Sequence, residues 1–595
     1  MNAKHRGFHI LRLILLVFLA LIFTGTVISE GKEKIFPLSK MKPGLTGYGY
    51  TVFQGLKIEK FKVKVLALTQ DEKQPGSLIL VRLSGDALEK NGGLSAGMSG
   101  SPVYISGKLA GAISYGFENA DPFLAMVTPI EEMLKLMDAQ RGGAHLGALT
   151  GTDIPLFLGA PALVSGMGRR GYELVKRSLK GYGLQAVSAP SLNYPNVNLA
   201  KVALEPGSAI GVQMIGGDYQ LAAIGTVTMI DPQSGNFLAF GHSFTNRGTV
   251  DYLAVACYIF QTVKSPAISF KLGAPLKTVG RICQDRQTGI LGRLDETPEL
   301  IGVSVKVEDQ ERRLKRQSSF QVIADEQLYP DLIVAGVTDA IDQTLNRLGT
   351  GTAKVGLRIT LGAPLGATGA PLGATGAPPG AAAESLPVIS RENLFFGKDI
   401  AADCLEDLQK ILNILAANEY AAVSIRSIEV DITVQPEQIT ARILKLSGAR
   451  AKVKRGETVT VTVTAHSYRG NDFSVPFEVK LPADLEPGKL TFTVRGGFRG
   501  ETGEEDAGQS KRASVMLNSY SQDKKSLQSM LSDYENTPKN NEFVLEYQPI
   551  TSVRTTEDNG AKGIESAKPK PVQLKAAAGY FILGEAQLTI EVIQE

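Results

Sequence analysis

The run Gly92-Gly93-Leu94-Ser95-Ala96-Gly97-Met98-Ser99-Gly100-Ser101-Pro102 sets one serine, Ser99, among glycines and just ahead of a strand-like segment. Gly97 and Gly100 let the backbone take positive φ and approach a ligand closely. A nucleophile served by a backbone oxyanion hole needs that freedom, and the N–H groups of Gly97 and Ser99 are the candidate donors. The pattern departs from the G-x-S-x-G elbow of α/β-hydrolases, because Ser101 stands where the last glycine belongs. A small-residue hairpin turn with no chemistry is the competing reading.

A serine nucleophile needs a base to take its proton and a third group to orient that base. The chain has five histidines. His5 and His9 lie in an N-terminal apolar segment, His145 in a glycine-rich break, and His466 in an alternating strand far along the chain. That leaves His242, between a strand end and a turn, as the candidate base for Ser99. A lone histidine at a strand end also fits a packed polar residue. Asp86, at a strand end before the serine loop, is the favoured orienting acid, and Asp251 and Asp285 are rivals nearer His242. Each of these aspartates also fits a turn former.

The elements that must position these groups read as β-structure. Phe61, Val63 and Val65 alternate with lysines, which is strand periodicity. Residues 77–83 form another strand, and Pro102–Ile105 with 109–115 reads as a hairpin around Ser106-Gly107. Residues 130–137 read as a short amphipathic helix and 168–181 as another. From 197 to 307 short strands alternate with turns; 268–272 and 278–282 are expected as separate strands, and 280–292 as a glycine-punctuated hairpin. Residues 331–348 read as a helix and 354–361 as a closing strand.

Two segments now carry a resemblance. Residues 92–108 match the G-G-x-x-x-G-M-S-G-S-P serine loop of the SpoIVB-type serine peptidases. Gly225-Thr226-Val227-Thr228-Met229-Ile230-Asp231-Pro232, followed by Ala239-Phe240-Gly241-His242, resembles their histidine segment. The resemblance spans roughly residues 40–310. It implies a chymotrypsin-like double β-barrel with Ser99 as nucleophile, His242 as base and Asp86 as orienting acid. That family places its histidine before its serine, whereas here Ser99 comes first, as in a circular permutation of the two barrels. The family also carries a PDZ domain, for which this chain offers no convincing candidate.

The length of 595 residues implies two to four domains. Residues 1–29 read as a signal peptide with a basic start and an apolar core, which makes the protein exported, periplasmic or extracellular; an uncleaved membrane anchor is the alternative. The peptidase-like domain is expected over 30–361. Residues 362–387, rich in Gly, Ala and Pro, cannot build a core and read as a linker. A helix plus a β-sandwich is expected over 388–502, and a polar segment with closing strands over 503–595, of which 503–570 is expected to pack poorly. The whole is therefore mainly β.

A net charge of +3 argues against nucleic acid as a partner. Cys257, Cys283 and Cys404 form no disulfide framework, and no His/Cys cluster has metal-ligand spacing, so neither a metal nor a cofactor is expected. The partner expected is a protein or peptide substrate, with envelope association. The readings that remain are an exported serine endopeptidase and a non-catalytic, peptidase-like envelope scaffold that binds peptide or a partner. A phosphate-binding protein is weaker, since no glycine loop has the G-x-x-x-x-G-K-[ST] spacing.

Overall fold

A computed structural model describes residues 34–69, 77–117, 119–139, 161–266, 269–362, 387–448, 450–498, 526–549 and 571–594. The signal-like segment 1–29, His145 and the Gly/Ala/Pro-rich residues 363–386 lie outside them.

The first body is a closed barrel. Its strands are β1 (Thr46–Val52), β2 (Ile58–Leu68), β3 (Ile79–Ser84), β5 (Pro102–Ile105), β6 (Lys108–Tyr115) and β7 (Leu124–Pro129), with α1 (Asp86–Lys90) and the two-residue β4 (Ser95–Ala96) inserted between β3 and β5. The barrel closes in the order β1-β2-β3-β7-β6-β5. Alternation explains β2: Phe61, Val63 and Val65 face the interior while Lys60, Lys62 and Lys64 face water. The β5–β6 turn carries Ser106 and Gly107 at φ 49° and 73°, the left-handed pair that suits a two-residue hairpin.

After α2 (Ile130–Ala139), β8 (Ala162–Ser165), α3 (Arg169–Lys180) and β9 (Ala186–Ser188), a second ring forms. It is built from β10 (Ala209–Gly217), β11 (Gln220–Ile230), β12 (Asn236–Ala239), β13 (Gly248–Val263), β14 (Ser269–Arg286) and β15 (Gly289–Leu294). The pairings β10–β13, β13–β14, β14–β15, β15–β12, β12–β11 and β11–β10 return to their start. The fold is thus mainly β and built on chymotrypsin-like barrels. Where two strands were expected over 268–282, one long strand runs through. Pro275 is accommodated because the β13–β14 register shifts beside its partner Cys257, so the missing N–H falls at an irregularity.

The barrels meet over α2. Leu109 and Ala112 of the first barrel and Met229, Leu238, Cys283 and Leu291 of the second pack with Ile130, Met133 and Leu136 of the helix. Each buried Leu, Ile or Met among them contributes roughly 1.5–3 kcal/mol of burial. The parallel pairing of β4 with the start of β14 is a second tie across the seam.

The sheet continues beyond the second ring through β16 (Leu300–Asp309), β17 (Leu314–Ile323), β18 (Gly351–Leu361), β19 (Val388–Gly397) and β20 (Ile425–Gln435), in the order β19-β18-β20-β16-β17-β10. On it pack α4 (Tyr329–Leu345), α5 (Ile400–Asp403) and α6 (Glu406–Ala417). The boundary expected at 362–387 therefore falls inside a sheet: β18 and β19, on either side of it, pair antiparallel in register from Gly351↔Gly397 to Thr360↔Val388.

The remaining strands form a two-sheet sandwich. One sheet holds β21 (Thr440–Gly448), β23 (Thr458–Ser467), β24 (Asp472–Lys480) and β28 (Phe581–Leu583). The other holds β22 (Lys452–Lys454), β25 (Gly488–Gly496), β26 (Glu542–Tyr547), β27 (Val572–Ala577) and β29 (Glu585–Ile593). The poor packing expected over 503–570 does not hold for 526–549. Phe543, Leu545 and Tyr547 of β26 enter the sandwich core, and Met530, Leu531 and Tyr534 of α7 (Leu527–Asn536) enter the core of the large sheet. The polar average of the segment hides these two apolar faces.

Candidate active site

Ser99 sits in the loop between β4 and β5 of the first barrel, and His242 follows β12 of the second after the turn residues Phe240 and Gly241. Both are buried, at 0% and 1% exposure. The two loops reach the same strand, β6. The Gly100 amide donates to the Ile113 carbonyl at 2.6 Å, and the Ile113 amide donates to the Ser101 carbonyl at 3.0 Å. From the other side, a Cβ on Gly241 would lie 3.0 Å from the Ile113 oxygen and 3.3 Å from Cβ of both Ala112 and Ser114. The structure thus brings the serine and histidine segments together at Ile113.

Each barrel holds the other's loop by threonine hydroxyls. Thr226 of β11 donates through Oγ1 to the Gly97 carbonyl at 2.8 Å, and its amide donates to the Ser99 carbonyl at 2.8 Å. Thr228 Oγ1 donates to the Gly100 carbonyl at 2.8 Å. In return Thr128 of β7 donates to the Gly241 carbonyl at 2.7 Å. Buried carbonyls need such partners, since leaving one unpaired costs about 1–3 kcal/mol. A Cβ on Gly100 would fall 1.9 Å from the Thr226 oxygen, so only glycine fits there.

The turn before His242 is strained. Phe240 and Gly241 both take φ 69°, an uncommon state for a phenylalanine. Its ring lies over Gly225, where a Cβ would approach to 2.3 Å, so packing holds a conformation the backbone alone disfavours. The ring of His242 lies 5.9 Å from those of both Tyr115 and Phe240, centre to centre, and His242 Nδ1 pairs with the Ser243 carbonyl at 2.6 Å. Burial pushes the Tyr115 phenol up to about 12. Ser99 Oγ forms no hydrogen bond among the described residues.

The serine loop spends its amides selectively. Those of Met98, Gly100 and Ser101 go to the carbonyls of Ser95, Ile113 and Met98. The amides of Gly97 and Ser99 take no part in these bonds. Gly97 has φ 96°, which only a residue without Cβ adopts readily.

The three candidate acids separate clearly. Asp86 is exposed at the start of α1, a helix packed on β2 and β3, and makes no hydrogen bond or ion pair among the described residues. Asp251 is engaged by Arg281 at 3.1 Å and by the Glu299 amide at 3.1 Å. Asp285, at the end of β14, is fully buried and gathers the segment after His242. It accepts from the amides of Phe244 at 2.7 Å, Thr245 at 2.5 Å and Asn246 at 3.0 Å, and from Thr245 Oγ1 at 2.6 Å. Burial raises its carboxyl above the usual range, and those four donors oppose the rise.

One group escaped the sequence reading. Lys271 of β14 is 2% exposed, and its Nζ donates to Thr51 Oγ1 at 2.7 Å and to Thr226 Oγ1 at 3.4 Å. Its stem runs against Gly97, where a Cβ would lie 3.0 Å from Lys271 Cδ. Burial lowers the amine to about 7, and Cys257 opposes that fall. A lysine among alternating strand residues gives no signal of such a place.

Residues 32–134 match the family model described as SpoIVB peptidase S55. The match contains the first barrel and Ser99, and stops before His242. It is consistent with a SpoIVB-type peptidase domain and supports a serine peptidase function, with protein as substrate, in general terms. No curated protein and no solved structure matches the chain.

Proposed function

We propose that the chain is an exported serine endopeptidase whose cleft is the seam between the two barrels. Ser99 attacks a peptide carbonyl, His242 takes the hydroxyl proton and returns it to the leaving amine, and the amides of Gly97 and Ser99 bind the oxyanion. Asp285, rather than Asp86, serves as the orienting acid. It acts by fixing the backbone at 244–246 that follows the histidine. The observation that carries this reading is the meeting of the serine and histidine loops on one strand at Ile113. Export rests on the signal-like residues 1–29.

A fluorophosphonate probe with mass spectrometry tests the reading. Wild-type protein is expected to gain one adduct on Ser99 and Ser99→Ala to gain none. Equal labelling of the two proteins would end the peptidase reading. The same spectra read the N-terminus: a mature chain starting near residue 30 supports export by cleavage.

The second reading, a scaffold that binds peptide without cutting it, draws on the burial of Ser99 and His242 and on a Ser99 hydroxyl without a hydrogen bond among the described residues. It expects no Ser99 adduct under native conditions, and peptide binding that Ser99→Ala leaves intact.

A further inference from the structure

The two amides assigned to the oxyanion belong to the 96–97 and 98–99 peptide units, and the 97–98 unit joins them. That joining unit is pinned at both ends. Its N–H, on Met98, donates to the Ser95 carbonyl at 2.9 Å, and its C=O, on Gly97, accepts from Thr226 Oγ1 at 2.8 Å. Because Thr226 gives its hydroxyl hydrogen to Gly97, its oxygen is left to accept, and the donors within reach are Lys271 Nζ at 3.4 Å and the Thr51 hydroxyl, itself held by Lys271, at 3.5 Å. The same Nζ reaches Thr51 on β1 of the first barrel at 2.7 Å. One buried lysine thus ties β1, β11 and β14 together behind the serine loop.

We propose that Lys271 is a positioning residue for the oxyanion-binding amides: acting through Thr226, it sets the orientation of the 97–98 peptide and so the separation of the Gly97 and Ser99 N–H groups. This rests on the peptidase reading for its catalytic consequence. Lys271 touches no reacting atom in this arrangement. A buried amine is a costly way to fill space, and an apolar side chain of similar volume would serve packing as well. The amine earns its place only if its hydrogen bonds matter. Its stem lies flat on Gly97, so the loop and the lysine are also matched in shape.

The test is Lys271→Met, which keeps the length and removes the donors, read by fluorophosphonate labelling kinetics. The maximal labelling rate is expected to fall about 10²-fold, the scale of losing an oxyanion donor, with the probe's apparent affinity within threefold of wild type. The melting temperature is expected at or above wild type. Thr226→Val should reproduce the loss and Thr226→Ser should restore most of the rate. The double variant should be no slower than Thr226→Val alone. A Lys271→Met rate within threefold of wild type overturns the inference, as does full activity in Thr226→Val.

Amide hydrogen exchange at residues 97–101 reads the brace without any turnover. Exchange at least tenfold faster in Lys271→Met supports it, and unchanged exchange overturns it even where wild-type protein fails to label. Absence of a Ser99 adduct in wild type, with exchange altered as expected, removes the peptidase reading and leaves the brace standing.

Discussion

The hydroxyl of Thr128 donates to the carbonyl of Gly241 across 2.7 Å, so the first barrel fixes the backbone immediately before His242. Both groups are buried. Thr128→Val keeps the shape and removes the donor. It is expected to destabilise the protein by about 1–3 kcal/mol, because a buried carbonyl loses its partner. Activity should fall further than stability explains, since the histidine turn is already strained at Phe240. Urea midpoints beside probe labelling at a temperature where both proteins are folded would check this. Wild-type labelling in a destabilised Thr128→Val would separate this contact from catalysis.

The acids give the sharpest contrast. Asp285→Asn replaces a buried carboxylate that receives four hydrogen bonds with an amide that must turn a donor toward them. Labelling of Ser99 is expected to fall by about 10² or more, because the backbone that follows the Ser243 carbonyl, the partner of His242 Nδ1, loses its anchor and the imidazole is misplaced. Asp86→Asn, at an exposed carboxylate, should change it less than twofold. If Asp86→Asn abolishes labelling and Asp285→Asn does not, the assignment is reversed.

The close approach at the seam is tested by Gly100→Ala. The new Cβ would sit 1.9 Å from the Thr226 oxygen and 2.5 Å from the Phe240 nitrogen, both backbone atoms that no rotamer change relieves. A loss above about 4 kcal/mol is expected. Gly44→Ala is the control: at φ +88° it has nothing within 4 Å of its new Cβ, so only the backbone cost of about 1–2 kcal/mol applies. Denaturant titration of both variants measures the difference, and similar losses would mean that the barrels yield at Gly100.

Much of this arrangement was legible in local pattern. The alternation of Phe61, Val63 and Val65 fixed an inward face, and Ser106-Gly107 marked a hairpin that the structure closes with two left-handed residues. The meeting of Ser99 and His242 segments followed from motif chemistry and elimination, not from any local signal. What stayed hidden depends on partners distant in sequence. Lys271 is buried because hydroxyls 220 and 45 positions away receive it. Asp285 is engaged by amides about 40 positions earlier, a placement no local pattern reveals, whereas Asp86 stands beside the serine loop in sequence. Residues 362–387 read as a boundary because composition reports what a segment lacks, not which strands it joins.

The pH dependence of stability should carry the mark of Lys271. An unfolded lysine titrates near 10.5, and burial lowers this one to about 7. Below about pH 7 both states hold the proton, and the full cost of burying the charge is felt. Between about 7 and 10.5 the folded amine is neutral while the unfolded one still binds a proton, so stability rises with pH across that window. Of the groups facing the amine, Thr51 and Thr226 present hydroxyls that do not titrate here. Burial pushes the Cys257 thiol from 9.0 up to about 12, so above about pH 9 it lowers stability in wild type and variant alike and cancels in their difference. Lys271→Met removes the effect, so its stability advantage over wild type should be greatest near pH 6 and shrink steadily toward pH 10. Paired urea midpoints at five pH values measure it, and a constant difference would mean that the amine stays protonated in the folded chain.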